Sequence, residues 1–205
     1  DYYLSKKKRI KLSKKIHPLL ITRGVPGTHD IVALKNDIIN FQQKKFPITT
    51  PTFNKLKDDV SIKKKIIKNA EILLLEGWCC GTPSINKEYL FENINGLESK
   101  LDKNKKWRKF YNSQLKRDYK KVFSLFDQQI YIQPPSFNYI IKWRYAQEKN
   151  NALKSRKKDF MNKNDLQAFI QHYEKLTKWM MKTMPAKADI LIKIDGNQKI
   201  KKVVT

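Results

Sequence analysis

The nine residues Thr22-Arg23-Gly24-Val25-Pro26-Gly27-Thr28-His29-Asp30 constrain the fold more than any other stretch of this chain. Six glycines occur in 205 residues, and two of them fall here, on either side of a proline. Gly24 and Gly27 permit left-handed backbone or a close approach, and Pro26 fixes one φ between them. Asp30 then stands where an N-cap belongs, ahead of Ile31, Leu34, Ile38 and Phe41, which repeat at helical spacing. Arg23 carries a planar fork of donors suited to a carboxylate or phosphate. Two readings fit the stretch alone: a tight turn with a helix cap, or a loop that meets a ligand.

The rest of the chain is read around that loop. Ser5 caps a helix over 6–17, which His17-Pro18 ends. Residues 46–59, with Pro47 and Pro51, read as a loop. Ile72-Leu73-Leu74-Leu75 is an unbroken aliphatic run, predicting a strand over Ala70–Trp78 that is buried on both faces. It ends in Glu76-Gly77, an acid at the carboxyl edge, where open α/β sheets place chemistry; the plainer reading is an acid capping the next element. Residues 82–105 read as a polar connection, and 106–125 as a helix. Gln129–Ile132 reads as a short buried strand before Pro134-Pro135, and Ser136 to about Ala152 as a helix. The spacing of Leu166, Phe169, Ile170, Tyr173, Leu176 and Trp179 predicts a core-facing helix over 165–184, leaving His172 beside it without chemistry. Asp189–Asp195 reads as the last strand, with Gly196-Asn197 as its exit turn. This alternation predicts an α/β fold: three layers, a mostly parallel sheet with helices on both faces, in a single domain.

Charge does not decide the function. The formal net charge is +25, yet only six of the 44 basic residues are arginine. The lysines are spread over the whole chain, and runs such as Lys6-Lys7-Lys8-Arg9 read as solvated helix faces. A localised arginine- and aromatic-rich patch, the usual footprint of nucleic-acid binding, is missing. No run of 18 apolar residues exists to span a membrane. Cys79 and Cys80 are adjacent, a strained pairing for a disulfide, and three histidines provide no zinc spacing. The chain reads as intracellular and cytoplasmic.

Taken in order, Tyr3-Leu4, Arg23-Gly-Val-Pro-Gly-Thr-His29-Asp30, Leu75-Glu76-Gly77-Trp78-Cys79, Pro135-Ser136-Phe137 with Trp143-Arg144, and Met184-Pro185-Ala186 resemble the glycerate 3-kinase family. These are P-loop small-molecule kinases related to phosphoribulokinase, uridine kinase and pantothenate kinase. The resemblance implies the P-loop kinase fold and phosphorylation of D-glycerate to 3-phosphoglycerate with ATP and Mg²⁺. It implies that Asp1 matches the second of a pair of acids after the second strand, beside the reacting hydroxyl. Arg23 and His29 line the acceptor pocket, with Arg23 on the glycerate carboxylate; Asp30 fixes His29 or the helix start. Glu76 sits near Mg²⁺ or the attacking hydroxyl. Arg144 lies on a lid helix within 136–160 and reaches the phosphates. Lys55 is a further acceptor-side residue, although relatives tend to have Phe-Asp-Lys where this chain has Phe53-Asn54-Lys55. Asn197 lies near the adenine.

No Gly-x4-Gly-Lys-Ser/Thr phosphate loop occurs in the sequence. The resemblance implies that this loop, with its strand and helix, precedes Asp1 in a complete enzyme, and that these 205 residues alone do not transfer phosphate. The alternatives are a related kinase with a nucleoside or pantothenate acceptor, a non-catalytic relative, and a nucleic-acid-binding module.

Overall fold

The structure, a computed structural model, describes residues 1–155 and 162–205. Its contacts divide the chain into two compact units, residues 1–92 with 102–126, and residues 93–101 with 127–205.

The first unit opens with helix α1 (Lys6–Lys15), whose first turn is capped by Ser5 Oγ accepting from the Lys8 amide. A single 3-10 turn (Pro18–Ile21) leads into the glycine loop and helix α2 (Ile31–Gln42). Strands β1 (Ile48–Asn54) and β2 (Asp59–Ile67) follow as an antiparallel hairpin, where the sequence had predicted a loop. Pro51 sits within β1 because a two-stranded sheet leaves each strand one edge where no amide is needed. After the short helix α3 (Lys87–Phe91), the unit closes with α5 (Lys106–Gln114), a π turn (Leu115–Tyr119) and α6 (Lys120–Phe123). Its core includes Leu20, Val25, Trp107, Leu115 and Val122, all at most 1% exposed.

Two charged groups are buried with that core. Arg9, expected on a solvated face, is 1% exposed. Its guanidinium donates to the carbonyls of Leu4, Ile21 and Asp58 and to the Asp58 carboxylate. Arg108 and Asp102 form a fully buried ion pair, Nε to Oδ2 at 2.8 Å. Asp102 also accepts the amides of Trp107 and Arg108, and so serves as the side-chain cap of α5.

In the second unit, strand β3 (Ile130–Gln133) lies parallel to β4 (Ile190–Ile194), and β5 (Ile200–Val204) pairs antiparallel with β4. Helix α7 (Phe137–Ser155) packs through Phe137, Ile140 and Ile141 onto Leu166 and Ile170 of α8 (Lys163–Thr183). The expected core stripe on α8 is therefore present, and His172 beside it bonds the Phe169 carbonyl in its own helix. Helix α4 (Gly96–Leu101) joins α8 by a buried ion pair, Lys175 to Glu98 at 3.4 Å. The expected lid segment, 136–160, corresponds to α7 as far as Ser155; residues 156–160 lie outside the described residues.

The α/β class holds; of the described sheets, the two-stranded one is antiparallel and the three-stranded one mixed, with the parallel pairing confined to β3 and β4. The strand expected over Ala70–Trp78 is not formed. These residues enter no described ladder, and Ile72 and Leu74 are 84% and 81% exposed. A strand buried on both faces depends on neighbours that its own sequence cannot supply.

The buried Arg108–Asp102 pair gives a test of this packing. Asp102→Ala strands the Arg108 charge in the core and should lower stability by about 3–5 kcal/mol, read as a drop in the urea midpoint. A loss below about 1 kcal/mol would show that the pair is hydrated.

Candidate functional site

The glycine loop is a closed turn built against a helix. Gly24 and Gly27 have φ of 108° and 96°. The buried Thr28 hydroxyl donates to the Val25 carbonyl and accepts the Gly24 amide, cross-linking the turn. A Cβ at Gly27 would come within 2.6 Å of the Phe110 ring, so only glycine fits beneath α5. On its other side the loop pairs with the start of the chain. Tyr3 and His29 form an antiparallel bridge, the Leu4 amide donates to Thr28, and the Asp30 amide donates to Tyr2. Asp30 Oδ1 accepts the Ala33 amide, so the capping role read from the sequence is present; Lys8 lies 3.4 Å from its other oxygen.

Arg23 projects from this loop into an aromatic corner. Its guanidinium carbon lies 5.5 Å from the Phe53 ring centre and 5.9 Å from that of Tyr3. Nη1 donates to Asp58 Oδ1, and the side chain keeps 31% of its surface in solvent. Asp58, at φ 53° in the β1–β2 turn, thus bridges Arg23 and the buried Arg9. Sequence reasoning missed both Asp58 and Arg9. The one signal was Asp58-Asp59 between two runs that form strands, a position where aspartate tolerates left-handed backbone.

His29 lies between two tyrosines. Its ring centre is 5.1 Å from that of Tyr3, and its Nδ1 is 2.6 Å from the Tyr119 hydroxyl. Burial pulls its pKa down from 6.5 to about 4, so the ring is neutral near pH 7. Tyr119, also unforeseen, is buried in the π turn, and its hydroxyl accepts the Gly27 amide at 2.9 Å.

The remaining residues proposed for this unit gather near the amino terminus. The Asp1 backbone nitrogen lies within electrostatic reach of Lys55, Glu76 and Cys80. Lys55 and Glu76 are exposed. Cys79 and Cys80 are thiols that form no disulfide. Burial raises both, Cys80 to about 11, so neither is an ionised nucleophile near pH 7.

Two proposed residues lie in the second unit. Arg144, on α7, pairs with Glu148 at 2.5 Å and donates to Gln147. Asn197 is exposed, and its amide donates to Asp195 in the β4–β5 turn. Beside that turn is a cavity of about 440 Å³ lined by Pro134, Pro135, Tyr139, Lys193, Asp195 and Gly196 among others. Tyr139 lies so near Gly196 that a Cβ there would come within 2.5 Å of its ring, and Trp143 Nε1 donates to the Gly196 carbonyl. Among the described residues no three His, Cys, Asp or Glu side chains cluster as a metal cage. A Mg²⁺ carried on phosphates needs only one or two protein carboxylates, so the lack of such a cage does not bear on it. No described helix is long and apolar enough to cross a membrane.

The fold is that of a P-loop kinase. D-glycerate 3-kinase from Cryptococcus neoformans var. grubii superimposes with a TM-score of 0.79 over 99% of this chain and 76% of its own, at 21% identity. The YGR205w protein gives 0.74 over 99% and 74%, at 22% identity. In sequence, the uncharacterized kinase mug58 of Schizosaccharomyces pombe is 27% identical over 190 residues, which are 84% of this chain and 65% of that protein. The probable ATP-dependent kinase TDA10 of Saccharomyces cerevisiae is 28% identical over 191 residues, 84% and 61% respectively. The chain thus spans a little under two thirds of the curated relatives it matches. No protein-family model matches it. The resemblance carried by the motifs is borne out to this extent: the chain is similar in fold to a D-glycerate 3-kinase and in sequence to two kinases.

The lowered pKa of His29 has a stability consequence. Its folded value, about 4, lies below the unfolded 6.5. Between these values the unfolded state binds more protons, so stability falls as pH drops from 6.5 toward 4. His29→Gln should remove that part of the slope in urea midpoints taken at pH 7 and pH 4.5. An unchanged slope would show that the ring protonates freely in the fold.

Proposed function

We propose that this chain forms the acceptor side of an ATP-dependent small-molecule kinase whose acceptor is D-glycerate. The observation that carries this reading is Arg23, a part-exposed guanidinium held in a corner of Tyr3, Phe53 and Asp58, on the same loop as a neutral His29. A bidentate Arg–carboxylate pair orients a small hydroxy acid better than a point charge does, because its two bonds fix a plane. The relatives' names, two kinases and a D-glycerate 3-kinase, support the reaction class.

Phosphoryl transfer asks a protein chiefly for positioning and for neutralisation of charge. In this reading Arg23 binds the acceptor carboxylate. His29 meets the acceptor with an uncharged ring, and Asp30 holds His29 in place by anchoring α2. Asp1 and Glu76 flank the acceptor hydroxyl, with Lys55 adding positive charge at that edge. Glu76 is the carboxylate for Mg²⁺, which when bound screens the phosphate charge. The cavity beside Gly196 and Asn197 takes the adenine. Arg144 exchanges its Glu148 partner for the phosphates. The described chain has no glycine-rich loop to cradle those phosphates, so these 205 residues alone should bind acceptor without turning it over.

A second reading has one observation in its favour. Asp58 already meets the Arg23 charge, which suits a neutral polyol such as a nucleoside as well as an acid. A panel of D-glycerate, nucleosides and pantothenate, assayed with ATP and Mg²⁺, separates the two.

In an active enzyme containing this chain, Arg23→Ala should raise the KM for D-glycerate by about tenfold or more with little change in kcat. Arg144→Ala should instead lower kcat, by up to about 10³-fold on the analogy of arginine fingers. Steady-state kinetics of both variants check the assignment, and unchanged constants in both would overturn it.

A further inference from the structure

Tyr119 has no place in the reading so far, yet its hydroxyl is within hydrogen-bond distance of the glycine loop at two points. It accepts the Gly27 amide at 2.9 Å and lies 2.6 Å from His29 Nδ1. The phenol is 3% exposed, and the backbone amide of His29 also acts on its oxygen as a donor. The Gly27 amide can only donate, so the phenol's own proton has one acceptor within reach, His29 Nδ1. Were Nδ1 to carry the imidazole proton, the buried phenol proton would have no partner, an arrangement that folded proteins avoid. The proton of a neutral His29 then resides on Nε2.

We propose that Tyr119 is a positioning residue that fixes His29 as the neutral Nε2–H tautomer, making the glycine loop a hydrogen-bond donor to its ligand rather than a proton acceptor.

The backbone that delivers Tyr119 supports this. Leu115–Tyr119 is a π turn inserted between α5 and α6, and one extra residue in a helical turn re-aims the side chains that follow it. Helix α5, which runs into that π turn, meets Gly27 through Phe110 and Gln114, so the loop and the tyrosine are built against one surface. The groups that act on the imidazole are Tyr3 from the start of the chain and Tyr119 from the π turn, and burial opposes its protonation. No carboxylate contributes to the shift at His29, so nothing offsets the cost of charging it.

The consequence deepens the kinase reading and rests on it only for what Nε2 meets. A neutral Nε2–H donates to a carboxylate or hydroxyl oxygen of the acceptor and cannot take the acceptor's proton. His29 is then a specificity group for an oxygen-bearing ligand, and removal of the hydroxyl proton falls to a carboxylate.

The test is long-range ¹H–¹⁵N NMR of the histidine-labelled protein, with His29 assigned by loss of its signals in His29→Gln. Expected for the wild type from pH 5.5 to 8 are a pyrrole-like Nε2, an unprotonated Nδ1 and no titration near 6.5. Tyr119→Phe keeps the ring but loses the hydroxyl, and should bring an Nδ1–H population. A protonated Nδ1 in the wild type, or a Tyr119→Phe spectrum identical to it, overturns the proposal. Should the variant fail to fold, the wild-type spectrum alone decides between the tautomers. These resonances do not depend on ATP or on the acceptor, so an inactive kinase assay with the expected tautomer would count against the kinase reading and leave this one standing.

Discussion

A guanidinium removed from water must satisfy its donors within the protein, and the rest of the glycine-loop region follows from how Arg9 does so. Its fork gathers the Leu4 carbonyl, the Ile21 carbonyl just ahead of the loop, and both the backbone and the carboxylate of Asp58. Three segments distant in sequence are thereby held at one point. Asp58, fixed by Arg9 on one oxygen, offers the other to Arg23. The part-exposed charge of Arg23 is thus oriented through a buried one. Such an arrangement tolerates little loss, because removing one member of a buried charged network leaves another uncompensated.

How much of this was legible depended on whether the cause lay nearby in sequence. The Asp30 cap, the α8 core stripe and the loop glycines are local, and each was read correctly. Arg9 was hidden inside a lysine run, because partners at Ile21 and Asp58 cannot be seen from α1. Tyr119 fitted the apolar stripe of an ordinary helix, and nothing in Leu115–Tyr119 announces a π turn. Ile72–Leu75 misled in the opposite sense, since four aliphatics encode a preference for burial but not the strands that would provide it. The β4–β5 hairpin was overlooked although its turn, Asp195-Gly196-Asn197, carried a recognisable signal between two β-branched runs. Its lysines, Lys201 and Lys202, made the second run look like tail.

The wide spread of positive charge acquires a simpler meaning from the structure. Lys63, Lys64 and Lys65 on β2 and most lysines of α1 are exposed, whereas two of the five described arginines, Arg9 and Arg108, are fully buried and paired. Lysine keeps a compact, strongly hydrated charge in water, and the delocalised guanidinium takes up the buried, multidentate positions.

The central claim is that the Arg23–His29 corner receives a small hydroxy acid. Titration of the ¹⁵N-labelled protein with D-glycerate in the absence of ATP tests it most directly. The account predicts saturable shifts led by the Arg23 side-chain Nε–H and the His29 ring, and much weaker shifts with glycerol, which lacks the carboxylate. Shifts confined to other residues, or equal responses to glycerate and glycerol, would contradict it.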